Sequence, residues 1–527
     1  MKTRPISRRS FLRTALLSSA AVATHAQFTA RASGPPDKPN LVVFLPDDLR
    51  ADTIIGSNAA AVHAPNLHRL ASRSVVFERA YVTQPICAPS RSSLLSGTWP
   101  HQTGCLNNHG VLPRKFRCLP EMLADSRYVG GYFGKWHLGD EYVAQRGFTE
   151  WASIIDYSKP IDRHHDAHPW LDRWISLIRG SKGTSRDRKS ATASDYTAFL
   201  ISKGYRPNAN GGRHFTDEFY TRLPFDLSRA KFVETKACDF LERHGQSPFV
   251  MFVAFFEPHP PYYGPFNDVH PIESVRLDPT VGEPLNDDVP LRYRIREEVY
   301  RSRFASVDGY RSVKQHYLGL VTEIDRCIGS VLEKIEKLGI ANRTTTVLTS
   351  DHGDMMSAHG LLGKGVMYEQ AVAVPYLVQV PGLSPRSISQ PVSHIDFVPT
   401  MLDLLGERPD PQCVGKSRGA LIRGETQSPE PVFIEWAPGH EPARKHTALA
   451  SDDEEKKAWA ESTRAIVTAD GWKLCLRDKD RNELYSLRED PDERKNLYSD
   501  SSQRDTVKRL TDEIHQWQQR VGDTLKV

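Results

Sequence analysis

The chain has 527 residues, of which 39% are apolar, and it carries 69 Lys and Arg against 65 Asp and Glu. These proportions are ordinary for a globular protein with one large domain and a smaller one, or with about three average domains. Residues 1–32 hold six basic residues and no acidic ones, so the formal charge of +4 becomes about −2 without them. The charge therefore implies no basic surface that would bind nucleic acid.

Residues 1–32 have the features of an export signal. The stretch Ser7-Arg8-Arg9-Ser10-Phe11-Leu12 resembles the twin-arginine signal, and the weakly apolar run at residues 15–23 is too short to span a bilayer. We expect a signal peptide that is read by the twin-arginine translocase. The protein would then be soluble, without a stable membrane anchor, and exported to the periplasm or out of the cell.

The first predicted strand covers residues 39–45, a largely apolar run that suits a buried parallel strand. Asp47 and Asp48 follow it. Adjacent carboxylates are hard oxygen ligands that suit a divalent cation such as Ca²⁺ or Mg²⁺. An exposed turn is the commoner setting for such a pair, so these two residues alone do not establish a metal site.

A cysteine stands just before a short predicted helix in the stretch Cys87-Ala88-Pro89-Ser90-Arg91-Ser92-Ser93-Leu94-Leu95-Ser96-Gly97. Pro89 suits the first helical turn, and Gly97 can end the helix. The helix N-terminus and Arg91 should both lower the pKa of the Cys87 thiol. A buried structural cysteine is the alternative. The other six cysteines have no paired spacing, which argues against zinc, and Cys105 and Cys118 could form a disulfide.

Residues 128–139 predict a strand whose end presents Lys135 and His137 on one side, because residues two apart in an extended chain point the same way. A cation and an imidazole placed in this way can face one anion. Residues 156–225 are polar and rich in His, Arg, Ser and Gly, and they predict an insertion over the core, on the substrate side.

Residues 249–256 predict another buried strand, after which neighbouring prolines hold His259 at the strand end. Residues 264–300 predict a long loop. Residues 317–338 predict an amphipathic helix, and the β-branched residues 344–349 predict a strand. Asp351 and His352 follow that strand, and Lys364 lies downstream.

The composition and pattern of the sequence change after about residue 407. An Asp-Gly pair at residues 470–471 separates two alternating runs and predicts a hairpin. Apolar residues spaced by three or four at residues 507–521 predict a terminal helix. We therefore predict an α/β fold with a large, mostly parallel central sheet flanked by helices at residues 33–425. A smaller C-terminal α+β subdomain, with a short antiparallel sheet and the terminal helix, would occupy residues 426–527.

Several predicted strands thus end in polar groups. Open parallel sheets bind ligands beyond the carboxyl ends of their strands, so one pocket could collect them all. It would offer three carboxylates and an imidazole to a divalent cation. It would also offer lysines and histidines to an anionic ester.

Together these motifs resemble those of the type I, formylglycine-dependent sulfatases of the alkaline phosphatase superfamily. Cys-x-Pro-x-Arg followed by Leu-Leu-Ser-Gly is similar to the signature whose cysteine is oxidised to formylglycine. The resemblance covers residues 39–406 and returns at residues 482–497. It implies that a formylglycine-generating enzyme modifies Cys87. It further implies one divalent cation, Ca²⁺ in preference to Mg²⁺, with these ligands: Asp47, Asp48, modified Cys87, Asp351 and His352.

The resemblance also implies a catalytic set, which comprises Cys87, Arg91, Lys135, His137, His259, Asp351 and Lys364. The hydrated aldehyde would attack the sulfur of a sulfated small molecule or glycan, with Asp351 as base. Lys135 and Lys364 would neutralise the sulfate oxygens, and His259 would protonate the leaving alcohol. His137 would then help the remaining hydroxyl to expel sulfate, and Arg91 would hold the hydrate and the local charge.

Two other functions remain open on the sequence. A phosphomonoester or phosphonate monoester hydrolase of the same superfamily would use a similar pocket. A single evident metal site favours sulfate, which needs less positive charge than a phosphate dianion. A non-catalytic protein that binds a sulfated ligand would keep the pocket and leave Cys87 unconverted.

Overall fold

The computed structural model describes residues 38–56, 59–156, 193–207, 215–304, 306–438 and 447–527. The predicted signal peptide and most of the predicted insertion, at residues 157–192 and 208–214, lie outside the described residues. Pro39–Val527 form one compact unit. All seven cysteines in this unit are free thiols, so Cys105 and Cys118 do not form a disulfide.

A large sheet runs through the unit, with β1 near its centre. Its strands are β1 (Asn40–Phe44), β2 (Val75–Tyr81), β3 (Val129–Gly134), β4 (Glu150–Ser153), β5 (Phe249–Ala254), β6 (Thr344–Thr349), β7 (Ala373–Gln379), β8 (Arg386–Ile388) and β9 (Val392–Ser393). Their order among the described residues is β4-β3-β5-β1-β6-β7-β2-β8, with β9 beside β2. β1 is parallel to β5 and β6. β7 is antiparallel to β6 and β2, so the sheet is mostly parallel, as predicted.

Helices cover both faces of this sheet, which explains why β1 and β5 are apolar along almost their whole length. The helices are α1 (Pro65–Ser72), α2 (Cys87–Ser96), α3 (Pro100–Thr103), α4 (Asp195–Ser202), α5 (Asp217–Tyr220), α6 (Arg229–His244), α7 (Leu291–Arg303), α8 (Val307–Lys337), α9 (Glu369–Val372), α10 (Phe397–Leu404), α11 (Gly419–Arg423), α12 (Asp452–Trp459) and α13 (Arg504–Val521). α1, α6 and α8 pack on one face, and α2 and α10 pack on the other. Within the described ranges, none of the helices has the length and apolar character needed to cross a bilayer.

The loop predicted at residues 264–300 is wrong at its C-terminal end, because α7 begins at Leu291. Its sequence is too polar to show helical apolar spacing. Arg292 and Tyr293 on its buried face are held by hydrogen bonds from the rest of the fold. A helix that is buried through polar groups gives no hydrophobic pattern to detect.

The C-terminal subdomain contains the predicted hairpin, in which Gly471 has a φ of +92°. Its strands are β10 (Val432–Trp436), β11 (Thr463–Val467), β12 (Trp472–Arg477) and β13 (Glu483–Ser486), and they pair antiparallel in this order. α13 packs Leu510, Ile514 and Trp517 against this sheet. The predicted α+β arrangement is confirmed, with β10 added to it.

Candidate active site

The candidate site lies at the carboxyl edge of the large sheet, where four neighbouring strands end. Asp47 and Asp48 follow β1, Lys135 follows β3, His259 follows β5, and Asp351 follows β6. Backbone contacts hold these strand ends together, since the Lys135 N–H donates to the Ala254 carbonyl at 2.9 Å. The parallel order of β3, β5, β1 and β6 therefore gathers groups that are distant in the sequence.

Cys87 is the first residue of α2, and its side chain is fully buried. The Sγ atom lies 3.2 Å from His352 Nε2 and 3.8 Å from Asp47 Oδ1. The His137 side chain also hydrogen-bonds the thiol. Burial alone would raise the pKa of the Cys87 thiol, but Lys135, Lys364 and His352 bring it well below its usual range. The predicted direction of the shift is correct, and three other cations lower the pKa more than Arg91 does.

Arg91 lies one turn after Cys87 on α2 and joins three parts of the site. Its Nε donates to Asp351 Oδ2 at 2.8 Å, and its Nη2 donates to Asp47 Oδ2 at 3.2 Å. Its Nη1 donates to the Lys135 carbonyl at 2.6 Å. The guanidinium is fully buried, so these contacts fix the two carboxylates relative to the start of α2.

Two lysines contact the paired carboxylates that follow β1. Lys135 forms an ion pair with Asp47, and Lys364 Nζ lies 2.9 Å from Asp48 Oδ2. Burial acts to raise the pKa of Asp48, but Lys364 and His352 lower it below its ordinary value. Burial and the nearby charge of Asp47 raise the pKa of Asp351 to about 6. The site thus concentrates both signs of charge away from water.

The expectation that Lys135 and His137 share an extended stretch is wrong. β3 ends at Gly134, and His137 has a φ of +62°, in the left-handed region. Glu141 causes this turn, because its carboxylate accepts from the backbone N–H groups of Trp136 at 3.2 Å and His137 at 2.6 Å. The imidazole still reaches Cys87, and burial lowers the pKa of His137 to about 4.

His259 lies beside the two carboxylates that follow β1. One of its ring nitrogens and one oxygen each of Asp47 and Asp48 lie within 4.8 Å of one another. Its Nδ1 is 2.7 Å from the Pro260 carbonyl. A carbonyl can only accept, so Nδ1 carries the proton of that bond and Nε2 is the nitrogen available to a ligand.

One ligand atom from each of four fully buried side chains also falls within 4.8 Å of the others: Asp47, Cys87, Asp351 and His352. His352 Nδ1 donates to the Gly353 carbonyl at 3.0 Å and lies 2.7 Å from Asp48 Oδ1, so Nε2, which faces Cys87, is the nitrogen that a deprotonated His352 would offer to a cation. Metal-binding histidines are oriented by such a bond from the second nitrogen. The donor set therefore fits a divalent cation, and all ten residues singled out in the sequence lie in one cluster of contacts.

Sequence reasoning missed several residues that support the site. Asn108 Oδ1 accepts from the Ala88 N–H at 3.1 Å, and its Nδ2 lies 3.9 Å from Cys87 Sγ. Asp354 accepts the hydroxyl hydrogen of Tyr262 at 2.5 Å and the Gly363 N–H at 2.9 Å. Asp354 closes the Ser350-Asp351-His352-Gly353-Asp354 run and could have been suspected, whereas nothing in the sequence marks Asn108.

The site can be compared with known proteins. The family model described as Sulfatase matches residues 39–407, and the model described as N-sulphoglucosamine sulphohydrolase, C-terminal, matches residues 357–520. The choline-sulfatase of Rhizobium meliloti is 26% identical over 87% of this chain and 82% of its own length. The N-acetylglucosamine-6-O-sulfatase of Bacteroides thetaiotaomicron is 22% identical over 92% of this chain and 87% of its own.

The fold is also similar to that of solved structures. The phosphonate monoester hydrolase SpPMH from Silicibacter pomeroyi superposes with a TM-score of 0.68 and 22% identity, covering 92% of this chain and 96% of that one. This likeness concerns the fold alone, whereas the Sulfatase model spans the whole large sheet and every residue of the site. The chain therefore belongs to the sulfatase family of the alkaline phosphatase superfamily and is a sulfuric ester hydrolase.

Proposed function

We propose that the chain hydrolyses a sulfate ester to an alcohol and inorganic sulfate with a formylglycine made from Cys87 and one divalent cation, Ca²⁺ in preference to Mg²⁺. The supporting observation is the 3.2 Å contact between Cys87 Sγ and His352 Nε2, within a buried group that also contains Asp47 and Asp351. A nucleophile generated at this position would lie beside the metal ligands. The proposed ligands are Asp47, Asp48, modified Cys87, Asp351 and His352.

The modified Cys87 and the divalent cation would each supply one kind of chemistry. Oxidised Cys87 would offer an aldehyde whose hydrate provides a hydroxyl nucleophile. The cation would offer positive charge that polarises sulfate oxygens and acidifies that hydroxyl. Asp351 would take the hydroxyl proton, while Arg91 holds its carboxylate at 2.8 Å.

The lysines supply charge complementary to the sulfate. Lys364 donates to Asp48 at 2.9 Å, and Lys135 pairs with Asp47. An ammonium has three N–H donors, so each lysine can hold its carboxylate and still donate to a sulfate oxygen. Donors held in place in a site without water stabilise the charge that develops in the transition state.

The two histidines divide the proton transfers. His259, as the imidazolium with a proton on each ring nitrogen, would protonate the leaving alcohol from Nε2, because its Nδ1–H is engaged by the Pro260 carbonyl. His137, whose side chain hydrogen-bonds Cys87, would take the proton from the second hydroxyl as the aldehyde reforms and sulfate leaves.

The substrate, maturation and location are part of the same proposal. The names of the related choline-sulfatase and N-acetylglucosamine-6-O-sulfatase support a sulfated small molecule or glycan as substrate. A formylglycine-generating enzyme would act before or during folding in the cytoplasm, since the twin-arginine translocase carries folded chains. Residues 1–32 would be removed on export to the periplasm or beyond. Residues 33–425 and 426–527 would form the two domains.

A phosphomonoester or phosphonate monoester hydrolase is the second candidate, supported by the fold of the Silicibacter pomeroyi enzyme. The two groups of metal-ligating side chains found in the described part of the chain share Asp47 and so belong to one site. One cation offers less charge than a phosphate dianion favours. The third candidate, a binding protein without catalysis, is inconsistent with membership of a family of hydrolases.

The test compares kcat/KM for an aryl sulfate, the matching aryl phosphate and an aryl phosphonate monoester on one preparation. The proposal predicts that the sulfate is the best substrate and that Cys87→Ala removes turnover of all three. A preference for phosphate or phosphonate would instead establish the second candidate. No turnover of any ester by protein with converted Cys87 would contradict both.

A further inference from the structure

Lys364 lies on a tight loop, residues 359–367, whose backbone is held from outside by two arginines of α7. Arg296 Nη1 donates to the Lys364 carbonyl at 2.7 Å, and its Nη2 donates to the Leu362 carbonyl at 3.0 Å. Arg292 Nη1 donates to the next carbonyl, that of Gly365, at 2.6 Å. Hydrogen bonds from a charged donor are about twice as strong as neutral ones, so three peptide planes around Lys364 are fixed.

The shape of the loop separates its backbone from its functional side chain. Gly363 and Gly365 have φ angles of +72° and +82°, which other residues rarely adopt. A Cβ on Gly365 would lie 3.0 Å from the ring of Trp436. The carbonyls of the loop therefore face α7, while the Lys364 side chain reaches Asp48 at 2.9 Å.

The first turn of α7 is supported by the C-terminal subdomain through Arg292 and Tyr293. Arg292 lies over the Trp436 ring of β10 at 4.5 Å, and its Nε donates to Glu461 Oε2 at 3.3 Å. Arg477 of β12 donates to the hydroxyl of Tyr293 at 3.1 Å. The path of contacts thus runs from the antiparallel sheet through α7 to the loop that carries Lys364.

We infer that Arg296, with Arg292 beside it, is a positioning residue that sets where the Lys364 ammonium meets the sulfate. The inference rests on the proposed role of Lys364. It assigns to α7 and the C-terminal subdomain a function in sulfate recognition and not only in stability. A displacement of 1 Å in a catalytic group can lower the rate about 100-fold. Loss of the carbonyl contacts should therefore lower the rate of sulfate ester hydrolysis.

The experiment is a double-mutant cycle. Arg296→Ala, Arg296→Lys, Lys364→Ala and the double variant Arg296→Ala/Lys364→Ala are assayed for kcat/KM on an aryl sulfate. Each is also titrated with inorganic sulfate to give a Kd. Arg294→Ala is the matched control, since Arg294 lies on the same helix but pairs with the exposed Asp287. The thermal midpoint is recorded for every variant.

We expect Arg296→Ala to lower kcat/KM by about 10- to 100-fold and to weaken sulfate binding. In the Lys364→Ala background the same substitution should change either quantity less than about twofold, because coupled residues are not additive. Arg296→Lys should be intermediate, since a single ammonium cannot reproduce the fork that reaches two carbonyls. Arg294→Ala should match the wild type.

Two results would overturn the inference. One is wild-type activity and sulfate affinity in Arg296→Ala. The other is an equal loss in both backgrounds, which would mean that Arg296 acts without Lys364. If the Lys364→Ala rate is too low to measure, the sulfate Kd decides. Full activity in Lys364→Ala would instead contradict the proposed role of Lys364, so the two failures are distinguishable.

Discussion

Buried charges at the catalytic edge of the large sheet differ in arrangement from those at the contact with the C-terminal subdomain. In the second region Lys473, fully buried on β12, lies 2.9 Å from Glu369 and 2.8 Å from Glu493. Arg477 lies 3.1 Å from Glu461 and 2.6 Å from Glu483. Each cation there is enclosed by carboxylates from other segments, an arrangement that joins elements and exposes nothing reactive.

The catalytic edge is arranged differently. Three carboxylates, a thiol and three imidazoles lie together with the cations, and Cys87 lies among them. Ion pairs are present in both regions. The comparison teaches that buried ion pairs by themselves do not indicate a functional site; at the catalytic edge they surround a thiol whose pKa is lowered and the imidazoles beside it. The predictions below test that distinction.

The largest effect is expected from Cys87→Ala. Removal of a nucleophile lowers kcat by roughly 10⁴-fold or more, and the small buried side chain should leave the fold intact. Initial rates on an aryl sulfate and the far-ultraviolet circular dichroism spectrum check both statements. Cys238→Ala, at a half-buried thiol on α6, is the control and should keep full activity. Retained activity in Cys87→Ala would rule out the proposed nucleophile.

Removal of the cation should have the next largest effect. Chelation should reduce turnover by about 10²-fold or more, since a metal contributes several kcal/mol of transition-state stabilisation. Ca²⁺ or Mg²⁺ added back should restore the rate and raise the thermal midpoint. The added stability should be about 2.7 kcal/mol when the free cation is at 100 times its Kd. Asp48→Asn should reduce the gain in rate and in thermal midpoint on addition of the cation. A turnover rate and a thermal midpoint that stay unchanged on addition of chelator and of metal would contradict the metal site.

A substitution in the other region should affect stability and spare chemistry. Lys473→Met leaves Glu369 and Glu493 without their buried cation, which costs about 3–5 kcal/mol. Urea unfolding should show this loss, while kcat per folded molecule stays within about twofold of wild type. Lys479→Ala, at a half-exposed lysine paired with Asp478, should change stability by less than about 0.5 kcal/mol. Unchanged stability in Lys473→Met would contradict the joining role.

The sequence predicted some of the features on which these outcomes depend and missed others. β1 and β5 are largely apolar runs and β6 is rich in β-branched residues, and the parallel order of their ends made the convergence of Asp47, His259 and Asp351 predictable. The turn at His137 was not predicted, because nothing in the sequence shows that the Glu141 carboxylate turns back to accept from the backbone N–H of His137, four residues earlier. α7 escaped detection because polar contacts bury it. Asn108 escaped because only the tertiary fold brings it to the start of α2.

The smallest expected effect is a pH dependence at the contact between α3 and the C-terminal subdomain. His101 Nδ1 lies 2.6 Å from Glu435, and its Nε2 lies 3.2 Å from the Val521 carbonyl. Burial alone would lower the pKa of His101, but Glu435 raises it above its usual value. The stabilisation should be complete below the unfolded pKa of about 6.5 and disappear as pH rises through the folded pKa.

His101→Gln should therefore lose less stability than the wild type between acidic and alkaline pH. Urea unfolding of both proteins across that range measures the difference, and His515→Gln, at an exposed position on α13, should follow the wild type. Parallel pH profiles for wild type and His101→Gln would show that the pair does not bind a proton on folding.

The central claim is that Cys87 is the precursor of an oxygen nucleophile at a metal site. Mass spectrometry of the peptide that contains Cys87, from protein made in its native host and shown to release sulfate from an aryl sulfate, tests it most directly. The account predicts the mass of formylglycine at position 87. An unmodified thiol throughout an active preparation would contradict it.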